Sequence, residues 1–352
     1  MATNALYSVA MSTLLISHPA FLDHDTGEYH PERPDRLRAL LGALEDPAFD
    51  GLTRVEAPMA TREQLVRVHP AELIETILSV RPPPGELVNV DPDTVISAGT
   101  AEAIQRAAGA VVLAVEAVMG GKCSNAFAAV RPPGHHASAT LPGGFCLFNN
   151  VAIGARHAQA KYGIKKVAIV DFDVHHGNGT QAIAESDPSL FYASTHQFPF
   201  YPGTGSAREW GIDGNVVNMP LAAGSGGSAF RTAWADGILP RLDDFAPELL
   251  IVSAGFDAHR RDPLAQLNLE VEDFAWLTRE LLALADKHCR GRVVSALEGG
   301  YDLDALRDSV AATLPVLVGE RPGRVAEAPT SGGPGGRMVE VVEEFWRERR
   351  GG

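Results

Sequence analysis

The chain has 352 residues, 45% hydrophobic and 21% charged, which is enough apolar side chain to bury a core and excludes a disordered segment. Lys and Arg number 30 against 44 Asp and Glu; the net charge of −14 excludes the broad basic surface that phosphate backbones require. The three scattered cysteines, Cys123, Cys146 and Cys289, make neither a disulfide framework nor a CxxC metal knuckle. The opening residues have no positive start, and no run reaches the ~18 apolar residues of a membrane span. A soluble cytoplasmic protein, bound to neither membrane nor nucleic acid, is the expectation.

In chain order, Pro82-Pro83-Pro84-Gly85 marks an early loop. The apolar pattern then predicts a helix over 95–119, a strand over 125–130, a helix over 149–162 and strands over 166–171 and 190–194. Further on it predicts a helix over 227–245, a strand over 249–254, a helix over 271–288, a strand over 292–297 and a helix over 303–318. The strands are continuously apolar, as strands covered on both faces are. Strand and helix alternate, so the expected fold is α/β: one mostly parallel central sheet with helices on both faces. The Gly- and Pro-rich stretch 321–337 divides a domain over 1–320 from a tail over 321–352, with a short helix at 338–349 that is a candidate for homo-oligomer contacts.

In parallel sheets, ligands bind beyond the carboxyl ends of the strands. Four predicted strands end in Gly combined with His, Asp or Tyr: RPPGHHA from Arg131, DFDVHHGNGT from Asp171, AGFDAHRRDP from Ala254 and EGGYDLD from Glu298. Asp171, Asp173 and His175 are spaced i, i+2, i+4, so on an extended strand all three face one side. Taken alone, such a run is ordinary turn and helix-cap chemistry. With Asp257 ending another strand, Asp173, His175 and Asp257 make three ligands with an open position for water, the layout of a catalytic metal site. The donor set suits zinc, Fe(II), Co(II) or Mn(II). His135 and His136 lie in a loop made irregular by two prolines and Gly134; imidazoles there suit proton transfer at neutral pH, with Asp171 and Asn178 as available orienting partners. Tyr301 follows two glycines and is either a core tyrosine or a phenol aimed at an oxyanion. The loops 143–150 and 198–205 carry aromatic residues that either pack on themselves or wall a narrow tunnel. Of the other histidines, His24 and His30 are expected to hydrogen-bond within their loop.

At RPPGHHA, GFCLFNN, DFDVHHGNGTQ, PGTG, AGFDAHRRDPL and EGGY, in that order from His18 to Val318, the sequence resembles the histone deacetylase superfamily, closer to its class II branch and bacterial amidohydrolase relatives. The resemblance implies the arginase–deacetylase fold and one catalytic Zn2+ on Asp173, His175 and Asp257. It implies His136 as general acid–base, His135 with Asp171 as its electrostatic partner, Asn178 behind His136, and Tyr301 on the scissile carbonyl. Gly144, Phe145, Tyr201 and Leu264 then line the substrate tunnel. K+ or Na+ is implied near Asp171, Asp173, His175 and Ser194. The acidic residue that class I members carry near the tunnel mouth is Ile96 here, with Asp91 or Asp93 as substitutes. The implied reaction removes an acetyl or related acyl group from acyl-lysine or a similar acylated amine. The alternatives are an acetylpolyamine deacetylase and an arginase-like binuclear manganese hydrolase.

Overall fold

A computed structural model describes residues 13–319 together with 342 and 344. Its strands are β1 (Thr13–Ser17), β2 (Leu52–Glu56), β3 (Val88–Asn89), β4 (Val95–Ile96), β5 (Asn125–Ala128), β6 (Val167–Asp171), β7 (Leu190–Gln197), β8 (Val216–Leu221), β9 (Leu249–Ala254) and β10 (Val293–Leu297). Its α-helices are α1 (Asp35–Ala43), α2 (Arg62–Leu65), α3 (Ala71–Ser79), α4 (Thr100–Met119), α5 (Asn150–Tyr162), α6 (Asn178–Ala184), α7 (Gly227–Thr232), α8 (Leu239–Phe245), α9 (Val271–His288) and α10 (Leu303–Val318). Eight strands form one sheet in the order β2-β1-β5-β10-β9-β6-β7-β8. Every pairing in it is parallel. β3 and β4 make a separate antiparallel pair.

The central strands are buried along their whole length, which their unbroken apolar sequence anticipates. The edge strand β2, Leu-Thr-Arg-Val-Glu, is exposed after its first residue. α4 packs on α5, and α9 packs on α10. Apolar and acidic residues alternate where β6 and β9 end. Phe172 and Phe256 turn into the core and meet Phe274 of α9 at ring distances of 5.8 and 5.2 Å, and each other at 5.5 Å. Each such pair contributes about 0.5–1.5 kcal/mol beyond its buried area. Asp171, Asp173 and Asp257, their chain neighbours, are thereby left on a braced floor.

Two predicted helices are shorter or broken. Val95 and Ile96 pair with β3, and the chain turns before Thr100, whose Oγ1 accepts the Ser97 N–H at 2.7 Å. Between α7 and α8 the residues Ala233–Ile238 form a wider π turn, and Pro240 then stands in the first turn of α8. β1, β2 and β8 were not among the predicted strands. The tail at 321–352 lies outside the described residues except for Val342 and Glu344, both helical, with Val342 in the main core. No helix among the described residues is long and apolar enough to cross a membrane.

Candidate active site

The four glycine-rich strand ends belong to β5, β10, β9 and β6, which are consecutive in the sheet, so all four motifs open at one edge. β6 stops at Asp171, which stands in register with Ser194 of β7 and Ser253 of β9. Beyond it the chain does not stay extended. Asp171 Oδ1 accepts the Asp173 N–H at 3.1 Å, and Asp173 Oδ1 accepts the His175 N–H at 2.9 Å. Aspartate readily makes such local turns. Their effect is to separate Asp171, which faces His135, from Asp173 and His175, which face Asp257.

Asp173, His175 and Asp257 are buried and offer donor atoms that all lie within 4.8 Å of one another. His175 Nδ1 is 3.2 Å from Asp173 Oδ1 and 3.1 Å from Asp257 Oδ2. The carboxylates are held in place by main-chain donors: Gly299 N–H to Asp173 Oδ2 at 2.8 Å and Val174 N–H to Asp257 Oδ1 at 2.8 Å. A Cβ on Gly299 would lie 2.1 Å from Asp257 Oδ2, so only glycine admits the turn this close. Burial, with the charge of Asp173 beside it, pushes the Asp257 carboxyl up to about 7. Two carboxylates and an imidazole crowded in this way fit a divalent cation, which would relieve that repulsion.

His135 and His136 stack at a ring distance of 4.0 Å but sit in opposite electrostatic surroundings. His135 Nδ1 donates to Asp171 Oδ2 at 3.0 Å, and the same oxygen accepts the Tyr192 hydroxyl at 3.2 Å. Burial opposes the charge on His135, but Asp173 and Asp171 outweigh it and lift the imidazolium to about 10. His136 Nδ1 is 2.8 Å from Asn178 Oδ1, so it carries the proton and leaves Nε2 with its lone pair. Burial, then the neighbouring charges of His135 and His175, holds His136 well below an ordinary histidine. These surroundings favour the charged form of His135 and the neutral form of His136. Burial and Asp257 hold the Tyr301 phenol well above its usual value, so it stays a donor. Its ring rests on the Arg36 guanidinium at 4.9 Å.

The aromatic loops close around these groups. Phe145 is edge-on to Tyr301 at 5.9 Å and to His30 at 4.7 Å. Tyr201 is edge-on to His136 at 5.2 Å and to His175 at 6.1 Å. A Cβ on Gly144 would fall 2.5 Å from the His136 ring and 2.9 Å from the Tyr201 hydroxyl, which places that glycine between them. Leu264 N–H donates to Asp262 Oδ1 at 2.9 Å while Asp262 Oδ2 accepts the Tyr301 N–H at 2.7 Å, so Leu264 is tied to the Tyr301 turn. Ser194 Oγ lies 2.9 Å from His196 Nδ1. His30 bonds within its loop, its Nδ1 accepting the Glu32 N–H at 3.0 Å, and its Nε2 lies 2.9 Å from the Asp93 carbonyl, whereas His24 bonds Thr100 of α4 and not its own loop.

Phe200, from the aromatic loop at 198–205, stacks on His175 at 5.5 Å, nearly parallel. A second set of residues has no local signature in the sequence. Beneath the site, buried Glu32 accepts from Arg131 Nε at 2.6 Å and from Arg36 Nη1 at 2.9 Å. Arg36 in turn donates to the carbonyls of Gly300 and Glu298 at 2.6 and 2.5 Å. Burial alone would raise Glu32, but the two guanidiniums bring it down to about 2. Arg131 and Glu298 belong to motifs that were legible; nothing local marked them, or Arg36, as buried.

Comparison with known proteins agrees with this geometry. Residues 30–317 match the histone deacetylase domain. A probable deacetylase of Archaeoglobus fulgidus is 38% identical over 300 residues, covering 84% of this chain and 82% of that protein. Histone deacetylase 14, chloroplastic, of Arabidopsis thaliana is 38% identical over 335 residues, covering 90% and 79%. The crystal structure of the HDA15 HD domain superposes with a TM-score of 0.85 at 35% identity, covering 96% of each chain. The single eight-stranded parallel sheet with its flanking helices is thus the arginase–deacetylase fold, and the chain belongs to the histone deacetylase family of hydrolases.

Proposed function

We propose that the chain is a zinc-dependent deacylase that removes acetyl or related acyl groups from the amine of acyl-lysine or a similar acylated amine. The observation that carries this is the contrast at one sheet edge: a neutral His136 and a protonated Tyr301 flank the buried Asp173, His175 and Asp257. A divalent cation held by those three side chains would supply Lewis-acid polarisation of the scissile carbonyl and of water. His136 Nε2 takes a proton from the attacking water and returns it to the leaving amine. The Tyr301 hydroxyl donates to the developing oxyanion. His135, whose charged form Asp173 and Asp171 favour, adds positive charge beside it. Phe145 and Tyr201 exclude bulk water, Gly144 leaves room between His136 and Tyr201, and Leu264 completes the wall. Zinc is the choice by family resemblance, since the donor set also accepts iron, cobalt or manganese. A monovalent K+ or Na+ at Asp171, Asp173, His175 and Ser194 belongs to the same reading.

One observation favours small cationic amines as a second substrate class. Asp93 and Asp91 stand near enough to Tyr201 that their charges, after burial, help push its phenol well above its usual value. The deciding experiment is metal analysis of the purified chain together with kcat/KM on acetyl-lysine and trifluoroacetyl-lysine peptides and on acetylated polyamines. One zinc per chain and cleavage of at least one substrate is the expected result. Two manganese ions per chain, or no cleavage with zinc supplied, would overturn the reading.

A further inference from the structure

Glu298 follows β10 in the EGGY motif and is 1% exposed. Its Oε2 accepts the N–H of Gly134 at 2.6 Å and that of His135 at 3.2 Å, and its Oε1 accepts the Ser253 hydroxyl at 3.0 Å. The same residue's carbonyl accepts Arg36 Nη2 at 2.5 Å, and two residues on, the Gly300 carbonyl accepts Arg36 Nε at 2.6 Å. The side chain therefore grips the loop that carries His135 and His136, while the main chain is pinned below Tyr301. These two segments lie 164 residues apart in sequence, and this side chain bonds one to the other beyond the ends of β5 and β10. A buried carboxyl is costly, and burial pushes this one up to about 7. An apolar side chain would fill the space at lower cost but would leave the Gly134 and His135 amides without an acceptor.

We propose that Glu298 is a positioning residue that sets the distance between His136 and Tyr301 by anchoring the histidine loop to the Tyr301 turn. The inference rests on the deacylase reading for what that distance accomplishes. Groups acting on the two ends of one amide must keep their separation, and a misplacement of about 1 Å can lower a rate roughly 10²-fold. The decisive property is reach. Aspartate keeps the charge but is shorter by one carbon–carbon bond, ~1.5 Å. Glutamine keeps the length and an acceptor oxygen for Gly134 and His135, and its NH2 can donate to Ser253 Oγ.

The test compares Glu298→Asp and Glu298→Gln in the full chain with zinc supplied. Glu298→Asp is expected to lower kcat about 10-fold or more with KM within about 3-fold, because the tunnel walls are untouched. Glu298→Gln is expected to stay within about 3-fold in both. A larger loss in Glu298→Gln than in Glu298→Asp would show that charge matters and overturn the proposal, as would a loss confined to KM. Should Glu298→Asp fail to fold, a drop of more than about 10-fold in a folded Glu298→Gln overturns it alone. Histidine side-chain 15N NMR gives a readout independent of turnover. Glu298→Asp should shift the ring resonances of His136, and Glu298→Gln should not; an unshifted His136 ring in Glu298→Asp refutes the anchoring. A wild-type chain inactive on every acyl amide would count against the deacylase reading, while the NMR comparison still decides the role of Glu298.

Discussion

Tyr301→Phe isolates a single hydroxyl. The ring that remains keeps its neighbours, Arg36 at 4.9 Å and Phe145 at 5.9 Å, and no hydrogen bond to a described residue engages the oxygen that is lost. No cavity forms and no buried donor is orphaned, so stability should move by no more than about 0.5 kcal/mol. The chemistry is affected differently. Burial and Asp257 keep the phenol protonated, and a donor aimed at an oxyanion in a water-poor site contributes about 2.7–4 kcal/mol to the transition state. That corresponds to a loss of roughly 10² to 10³ in kcat. Because the interaction strengthens only as charge develops, KM should change by less than about 3-fold. Steady-state kinetics on a trifluoroacetyl-lysine peptide, with metal content and thermal melting recorded alongside, provide the check. A kcat within about 3-fold of the parent, at equal metal content, would remove Tyr301 from the mechanism.

Three further outcomes follow from the same geometry. Asp257→Ala takes away one of the three donors and should purify with little bound divalent metal; elemental analysis showing full occupancy would mean that a different side chain is the ligand. Glu32→Gln leaves the Arg36 and Arg131 guanidiniums buried beside a neutral amide and should cost about 3–5 kcal/mol, read by chemical denaturation. The sign with pH is definite: Glu32 lies at about 2 when folded against 4.5 for a free glutamate carboxyl, so its contribution is complete above 4.5 and is lost as pH falls through 2, a loss the variant should lack. Asn178→Asp puts a carboxylate against the Nδ1–H of His136 and should raise that imidazole, moving the acid limb of kcat/KM to higher pH; an unmoved limb would separate Asn178 from the base.

How far these features could be read from sequence depends on the range of the interaction behind each. β5, β6, β9 and β10 were legible because strands buried on both faces need only be largely apolar, a property of four to six adjacent residues. β2 was not, because the exposed edge strand Leu-Thr-Arg-Val-Glu has no such requirement, and β8 carries Pro220, which argues against a strand. Asp173, His175 and Asp257 could be found because the sheet brings strand ends together at one edge, so motif and topology pointed to the same place. The extended path on which Asp171, Asp173 and His175 would share one side is not taken, since the aspartates bond the amides two residues ahead instead of continuing β6. Glu32, Arg36, Arg131 and Glu298 belong to another class. A charged residue looks like surface until its partner is known; Arg36 has Glu32 four residues away, but Arg131 lies 99 residues from Glu32 and the Gly300 carbonyl lies 264 residues from Arg36. Their burial is worth its cost only where two loops must be held at a fixed separation. The net charge of −14 acquires a corresponding meaning. Asp171, Asp173, Asp257, Glu32 and Glu298 are all fully or almost fully buried, so part of the acidic excess belongs to the site and its supports and not to the solvated surface.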